Sequence, residues 1–180
     1  GRGADASVRV WVPGCATGEE AYSIAILLHE RMAELPARPR VQIFATDIDD
    51  AALKVARAGR YPATMLDGVV SPERQARYFT ADGETLVLRR EVRDLCVFSS
   101  HSVVRDPPFS RIDLVSCRNL LIYLDNEVQR RVLPVFHYAL RPGGHLFLGT
   151  AEGIGSFGEL FTPIERGDRI FRRRDRPTLA

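Results

Sequence analysis

The chain has 180 residues, 45% of them hydrophobic and 27% charged, with 14 Gly and 11 Pro. That is enough for one domain with a buried core, and the composition is too ordinary for a disordered, collagen-like or disulfide-stapled protein. Lysine plus arginine number 25 against 23 aspartate plus glutamate, interspersed rather than gathered into the basic stripe expected of a nucleic-acid binder. No apolar run is long enough to span a bilayer, and no secretory signal pattern opens the chain. Cys15, Cys96 and Cys117 are an odd set without a CxxC pair. A cytoplasmic location without direct membrane insertion, and without a zinc site, is therefore expected.

Strand and helix patterns alternate along the chain, which predicts an α/β fold with a doubly wound, mainly parallel sheet. The first strand is Val8 to Val12, closed by Pro13-Gly14, and a helix follows from about Glu19 to Met32. Val41 to Thr46 is a continuous apolar run of the kind buried on both faces of a parallel sheet. The next helix begins after Asp49 or Asp50, either of which can cap it, and Gly59 is its left-handed stop.

The stretch from Gly59 to Asp94 is too long for a plain connection and carries its own structure. Ser71-Pro72-Glu73 reads as an N-cap, a first-turn proline and an acidic first turn. Asp82-Gly83 reads as a hairpin turn between Arg77-Tyr78-Phe79 and Thr85-Leu86-Val87-Leu88. A helix and a β-hairpin are thus inserted at about 66–94.

The main pattern resumes with strands near Leu95 to Ser99 and Ile112 to Cys117, then a helix from about Asn126 to Leu140. Arg141-Pro142-Gly143-Gly144 turns into a strand at His145 to Gly149, and Arg169 to Arg172 is a last, antiparallel strand at or near the edge. Arg172-Arg173-Arg174 reads as a solvated tail or the start of a linker. The four histidines, His29, His101, His137 and His145, have no common metal-ligand spacing and read as surface or partly buried residues.

Three stretches carry chemistry. In Gly14-Cys15-Ala16-Thr17-Gly18-Glu19-Glu20 a glycine-rich turn lets a ligand approach the backbone where a strand ends. A pyrophosphate at the following helix would be repelled by Glu19 and Glu20. They suit a cationic ligand, such as an amino-acid ammonium beside a sulfonium, although both would also favour the helix dipole alone. Asp47, closing the second strand, is placed to accept the two hydroxyls of a ribose, while Asp49 and Asp50 suit capping better. Cys117-Arg118-Asn119-Leu120-Leu121-Ile122-Tyr123 leaves a central strand, where polar side chains border a ligand crevice or hold the turn.

Together with Arg77-Tyr78-Phe79 and Arg141-Pro142-Gly143-Gly144, these motifs resemble those of the chemotaxis-receptor methyltransferases, the CheR family, over about Val8 to Arg172. The resemblance implies a Rossmann-like class I methyltransferase domain over 1–180 with a small inserted β-subdomain. It also implies S-adenosylmethionine as cofactor, S-adenosylhomocysteine as product, and glutamate side chains of a chemoreceptor cytoplasmic domain or related signalling protein as methyl acceptors. It gives Gly14, Ala16 and Gly18 to the cofactor loop, Glu19 to the methionine moiety and Asp47 to the ribose. Ser102 and Val103 take the adenine side, where the family usually reads Asn-Leu. Arg118 and Asn119 line the cofactor and the transferred methyl, and Tyr123 stands beside the reacting groups. The family's N-terminal helical domain is absent, so Gly1 reads as a boundary, and the Trp11-Val12-Pro13 wording resembles versions fused to other signalling domains. Two rival readings are a cofactor-binding regulatory module with little transferase activity and a nicotinamide dehydrogenase. Glu19, Glu20 and the missing third glycine disfavour the second rival.

Overall fold

A computed structural model describes residues 6–118, 120–165, 167 and 169–175. The chain folds as two compact units: one comprises Cys15–Ser100 and the residues before Val8, the other Val8–Gly14 and His101 onward.

In the first unit, β2 (Arg40–Asp47) and β6 (Cys96–Ser100) pair in parallel, from Ile43 opposite Cys96 to Asp47 opposite Ser100. Helices α1 (Glu19–Ala33) and α2 (Asp50–Ala58) pack on this pair. Along β2, Val41, Ile43 and Ala45 are buried while Gln42 and Phe44 are only half-buried. Thr46, on the face of Gln42 and Phe44, is fully buried too, so both faces of the run from Val41 to Thr46 are covered as expected. Asp49 accepts from the amides of Ala51 and Ala52, and Gly59 stops α2 at φ 59°, as local capping chemistry requires.

The insertion is larger than the sequence suggested. It starts at β3 (Arg60–Pro62), followed by short helices α3 (Ala63–Leu66) and α4 (Pro72–Tyr78), then β4 (Phe79–Asp82) and β5 (Thr85–Leu88). These strands form a three-stranded antiparallel sheet in the order β3-β5-β4. Ser71 caps α4, and the hairpin turns at Gly83-Glu84, one residue later than expected, since Asp82 still pairs with Thr85. Arg77 and Tyr78 belong to the helix rather than to the strand: the cap carries α4 through to Tyr78, whose ring is fully buried beside His29. A further short helix, α5 (Arg90–Arg93), leads back to β6.

In the second unit, β1 (Ser7–Pro13) and β7 (Ile112–Cys117) are parallel, as are β7 and β8 (Leu140–Leu148). β10 (Ile170–Arg173) then pairs antiparallel with β8 on one side and β9 (Phe161–Pro163) on the other. The result is the mixed α/β architecture with mostly parallel strands expected from the sequence. Trp11, fully buried, anchors the core with its ring edge-on to Phe136 of α6 (Asn126–Ala139) and tilted against Phe109. An aromatic pair in such edge-to-face geometry adds about 0.5–1.5 kcal/mol beyond burial alone.

Arg141-Pro142-Gly143-Gly144 is not a turn before a strand but a bulge within one. Ile112 opposes Leu140, and two residues later Leu114 already opposes His145. The excursion demands Gly144, because a Cβ there would lie 2.9 Å from the Arg141 carbonyl oxygen. Asp113 pins it, accepting from the Arg141 side chain at 2.6 Å and from the Arg9 amide at 2.8 Å.

The triple-arginine run is not a solvated tail. Arg172 and Arg173 lie in β10, Arg173 donates to the Leu140 carbonyl, and Arg174 donates to the carbonyl of Gly158. Nor is His137 a surface residue. It is completely buried, edge-on to Phe161, with Nε2 2.9 Å from the Arg174 carbonyl. Neutral Nε2–H donates that bond, and burial, aided by the charge of Arg173, lowers the His137 pKa below its ordinary value. The unfolded chain therefore takes up a proton near pH ~6.5 that the fold refuses, so stability contributed at neutral pH is lost as pH falls through that range. Urea midpoints measured between pH ~8 and ~5 are expected to fall for the wild type and to fall less steeply for His137→Gln.

Candidate functional site

The glycine-rich loop is built by its contacts with the end of β2. The Cys15 amide donates to the Thr46 carbonyl at 2.9 Å, and the Ala16 amide donates to Asp47 Oδ2 at 2.8 Å. The other oxygen of Asp47 accepts from the Asp49 amide at 2.9 Å. Asp47, expected to serve a ribose alone, thus also ties the loop to the strand. A carboxylate has about four lone-pair sites, so it retains acceptor capacity while bound twice. Asp49 performs the capping expected of it; Asp50 is the first residue of α2.

Gly18 is the N-cap of α1 at φ 96°, with no side chain capping the helix. A Cβ on Gly18 would sit 2.9 Å from Ala56 Cβ, so the position needs glycine for both its backbone angle and its space. Glu19 follows, half-exposed, with both carboxylate oxygens near the Thr17 hydroxyl, at 2.5 and 2.6 Å. The field here is negative. Burial first, and then the charges of Asp47, Glu20 and Glu19, push the Cys15 thiol up to about 12. Cys15 is therefore a protonated filler of the loop rather than a nucleophile.

In the second unit, Gly14 (φ 66°) lies under the Leu120 side chain. Arg118 follows β7, exposed, with its guanidinium carbon 4.6 Å from the ring centroid of Phe147. Such stacking holds the planar group at a defined orientation. Asn119 lies outside the described residues. Leu121–Tyr123 is a single 3₁₀ turn that presents Tyr123 at 79% exposure. Ser102 and Val103 sit in a separate turn, where the Ser102 amide donates to Asp106 and its hydroxyl accepts from the Arg105 amide.

Two residues that hold these segments escaped the sequence reading. Glu152, only 4% exposed, accepts from the amides of Gly149 at 2.8 Å and Ile122 at 3.2 Å. It joins the end of β8 to the turn bearing Tyr123, while Gln129 donates to the carbonyls of Leu121 and Leu124 from α6. In the first unit, Tyr61 of β3 donates to the Thr17 carbonyl at 2.7 Å. Tyr61 lies outside the motifs read as carrying chemistry; for Glu152 the signal was an acidic residue among the glycines that follow β8, Gly149-Thr150-Ala151-Glu152-Gly153. No group of three His, Cys, Asp or Glu able to hold a metal occurs among the described residues, and no helix among them is long and apolar enough to cross a membrane.

A mostly parallel sheet, a glycine-rich loop after the first strand and an acidic residue closing the second define the α/β fold of S-adenosylmethionine-dependent methyltransferases. A solved TehB-like S-adenosylmethionine-dependent methyltransferase from Corynebacterium glutamicum shares that fold, with a TM-score of 0.52 over 93% of this chain and 79% of its own at 11% identity. The CheR methyltransferase, SAM binding domain, matches residues 2–169, and the chain belongs to this family. It is 40% identical over 166 residues to an uncharacterised 104.1 kDa protein of Rhodobacter capsulatus, covering 92% of this chain and 17% of that one. It is 37% identical to the putative methyltransferase Cher3 of Pseudomonas putida, covering 93% of this chain and 63% of that one. The chemotaxis protein methyltransferase of Salmonella typhimurium is also 37% identical, with 91% of this chain and 57% of that one covered. The chain thus spans roughly three fifths of the two methyltransferases and a smaller share of the longer protein.

Replacing Glu152 by alanine leaves two amide donors without their acceptor. Each buried unsatisfied donor costs about 1–3 kcal/mol. Glu152→Ala is expected to lower unfolding stability by about 2 kcal/mol or more, read as a lower urea midpoint at unchanged slope.

Proposed function

We propose that this protein transfers the methyl group of S-adenosylmethionine to glutamate side chains of a chemoreceptor cytoplasmic domain or a related signalling protein, forming methyl esters. The observation that carries the reading is the acidic loop: Ala16 bound to Asp47, Glu19 bound to Thr17, and the carboxylates of Asp47, Glu20 and Glu19 adding to the burial that raises the Cys15 thiol. Such a donor set suits a ligand bearing an ammonium and a sulfonium and opposes a pyrophosphate. In this role the backbone around Gly14, Ala16 and Gly18 receives the cofactor, Glu19 takes its ammonium end and Asp47 its ribose. Ser102 and Val103 take the adenine side, and Arg118, Asn119 and Tyr123 the reacting end, as the resemblance implies.

The cofactor supplies a methyl group on a positively charged sulfur. The acceptor carboxylate, with an ordinary pKa near ~4.3, is already ionised at neutral pH. Its oxygen forms the new C–O bond as the C–S bond breaks, leaving a methyl ester and neutral S-adenosylhomocysteine, with no proton to remove. A general base is therefore unnecessary, and positioning with exclusion of water supplies the rate. Arg118 is held on Phe147, which restrains it from closing a tight ion pair that would weaken the nucleophile. Tyr123, exposed on its turn, offers a hydroxyl to orient the acceptor.

Incubation with methyl-labelled S-adenosylmethionine and receptor cytoplasmic fragments is expected to give alkali-labile label released as methanol. Asp47→Ala is expected to weaken S-adenosylhomocysteine binding by roughly 1–3 kcal/mol in calorimetry, through lost hydrogen bonds to the ribose. Absence of labelled ester would overturn the transferase reading, and unchanged affinity in the variant would remove Asp47 from the nucleoside site.

A further inference from the structure

We propose that Tyr61 is a positioning residue for cofactor binding: from the small three-stranded sheet, its hydroxyl sets the glycine-rich loop and, through Thr17, the carboxylate of Glu19. The inference rests on reading that loop as the S-adenosylmethionine site. Tyr61 stands 44 residues from Thr17 in sequence, yet donates to its carbonyl at 2.7 Å. The Thr17 hydroxyl in turn meets both oxygens of Glu19. Thr17 is therefore held at its carbonyl by the small sheet and engages the acidic residue through its side chain.

The anchor is itself rigid. Tyr61 is 5% exposed, its strand is registered by pairing with Leu86 of β5, and its ring stands edge-on to Tyr22, 6.3 Å away. Tyr22 is fixed by its own bond to the Ala56 carbonyl at 2.6 Å. The loop also lies against the phenol: a Cβ on Gly18 would come within 3.2 Å of the Tyr61 oxygen. Burial raises the Tyr61 pKa and the charge of Glu19 raises it further, so the phenol stays protonated and donating at any working pH. A carboxylate whose neighbour is already fixed loses less freedom when a ligand binds, and that saving appears as affinity.

Tyr61→Phe keeps the ring and removes only the donor. Calorimetric titration with S-adenosylhomocysteine is expected to show roughly five- to tenfold weaker binding, the worth of about one hydrogen bond. Thr17→Val is expected to show a similar loss. Adding Tyr61→Phe to Glu19→Gln is expected to weaken binding by less than about twofold more, because the path ends at that carboxylate. In the transferase assay, KM for S-adenosylmethionine is expected to rise by the same factor while kcat changes far less. Unchanged affinity in Tyr61→Phe, or its full loss repeated in the Glu19→Gln background, would overturn the proposal and leave Tyr61 a support of the fold. Should Tyr61→Phe fail to fold, unchanged binding in Thr17→Val would overturn it equally. A wild-type protein that does not bind S-adenosylhomocysteine would instead overturn the cofactor reading itself.

Discussion

The hydrogen bond from the Ala16 amide to Asp47 is the constraint on which the glycine-rich loop depends. A loop entering α1 with glycine at the N-cap has no side chain to organise it, and its left-handed residues Ala16 and Gly18 carry no stability of their own. The end of β2 supplies what the loop lacks: a carbonyl for Cys15 and a carboxylate for Ala16. Hydrogen bonds to charged groups are worth about 1.5–3 kcal/mol, enough to hold one loop geometry among many. Because the same carboxylate also receives the Asp49 amide, the start of α2 and the glycine-rich loop share one anchor. One carboxylate thus fixes two segments at once.

The electrostatics follow from that arrangement. Carboxylates at Glu19, Glu20 and Asp47 gather around a loop whose one ionisable thiol, Cys15, is pushed up to about 12. Cys96, half-buried, is raised to about 12 by desolvation, with Cys15 adding to it. Neither thiol ionises near neutral pH, so the loop presents fixed negative charge with no competing nucleophile. In the second unit a different device operates. Glu152 and Gln129 grip the 3₁₀ turn from β8 and α6, satisfying its amides and carbonyls and leaving Tyr123 turned out toward solvent. These neighbours supply rigidity to the turn.

The legible parts of the chain were those whose chemistry is local. Asp49 caps α2, Gly59 ends it, Ser71-Pro72 starts α4 and Gly83 opens the hairpin turn, each within a few residues of the backbone it serves. Ile112 to Cys117 was read at its true bounds, its Ile, Leu, Val and Cys marking a central strand despite Asp113 and Ser116. The strands missed, β3 and β9, have three residues each, too few to show any period. Arg173 and Arg174 looked like a tail because charge next to charge suggests solvent. Their guanidinium groups find carbonyls at Leu140 and Gly158, far away in sequence.

The residues themselves determined the order of strands and helices, the glycine-rich loop with its acidic partners, and membership of the CheR family, since all of these are written in spacing and side-chain type. Tertiary structure alone decided which groups brace that loop. Tyr61 reaches Thr17, Asp47 accepts from the Ala16 amide, and Glu152 joins the end of β8 to the turn at Ile122. The physical reason is that a buried donor must find an acceptor, but any of many distant ones will satisfy it. Only closure of the chain selects which.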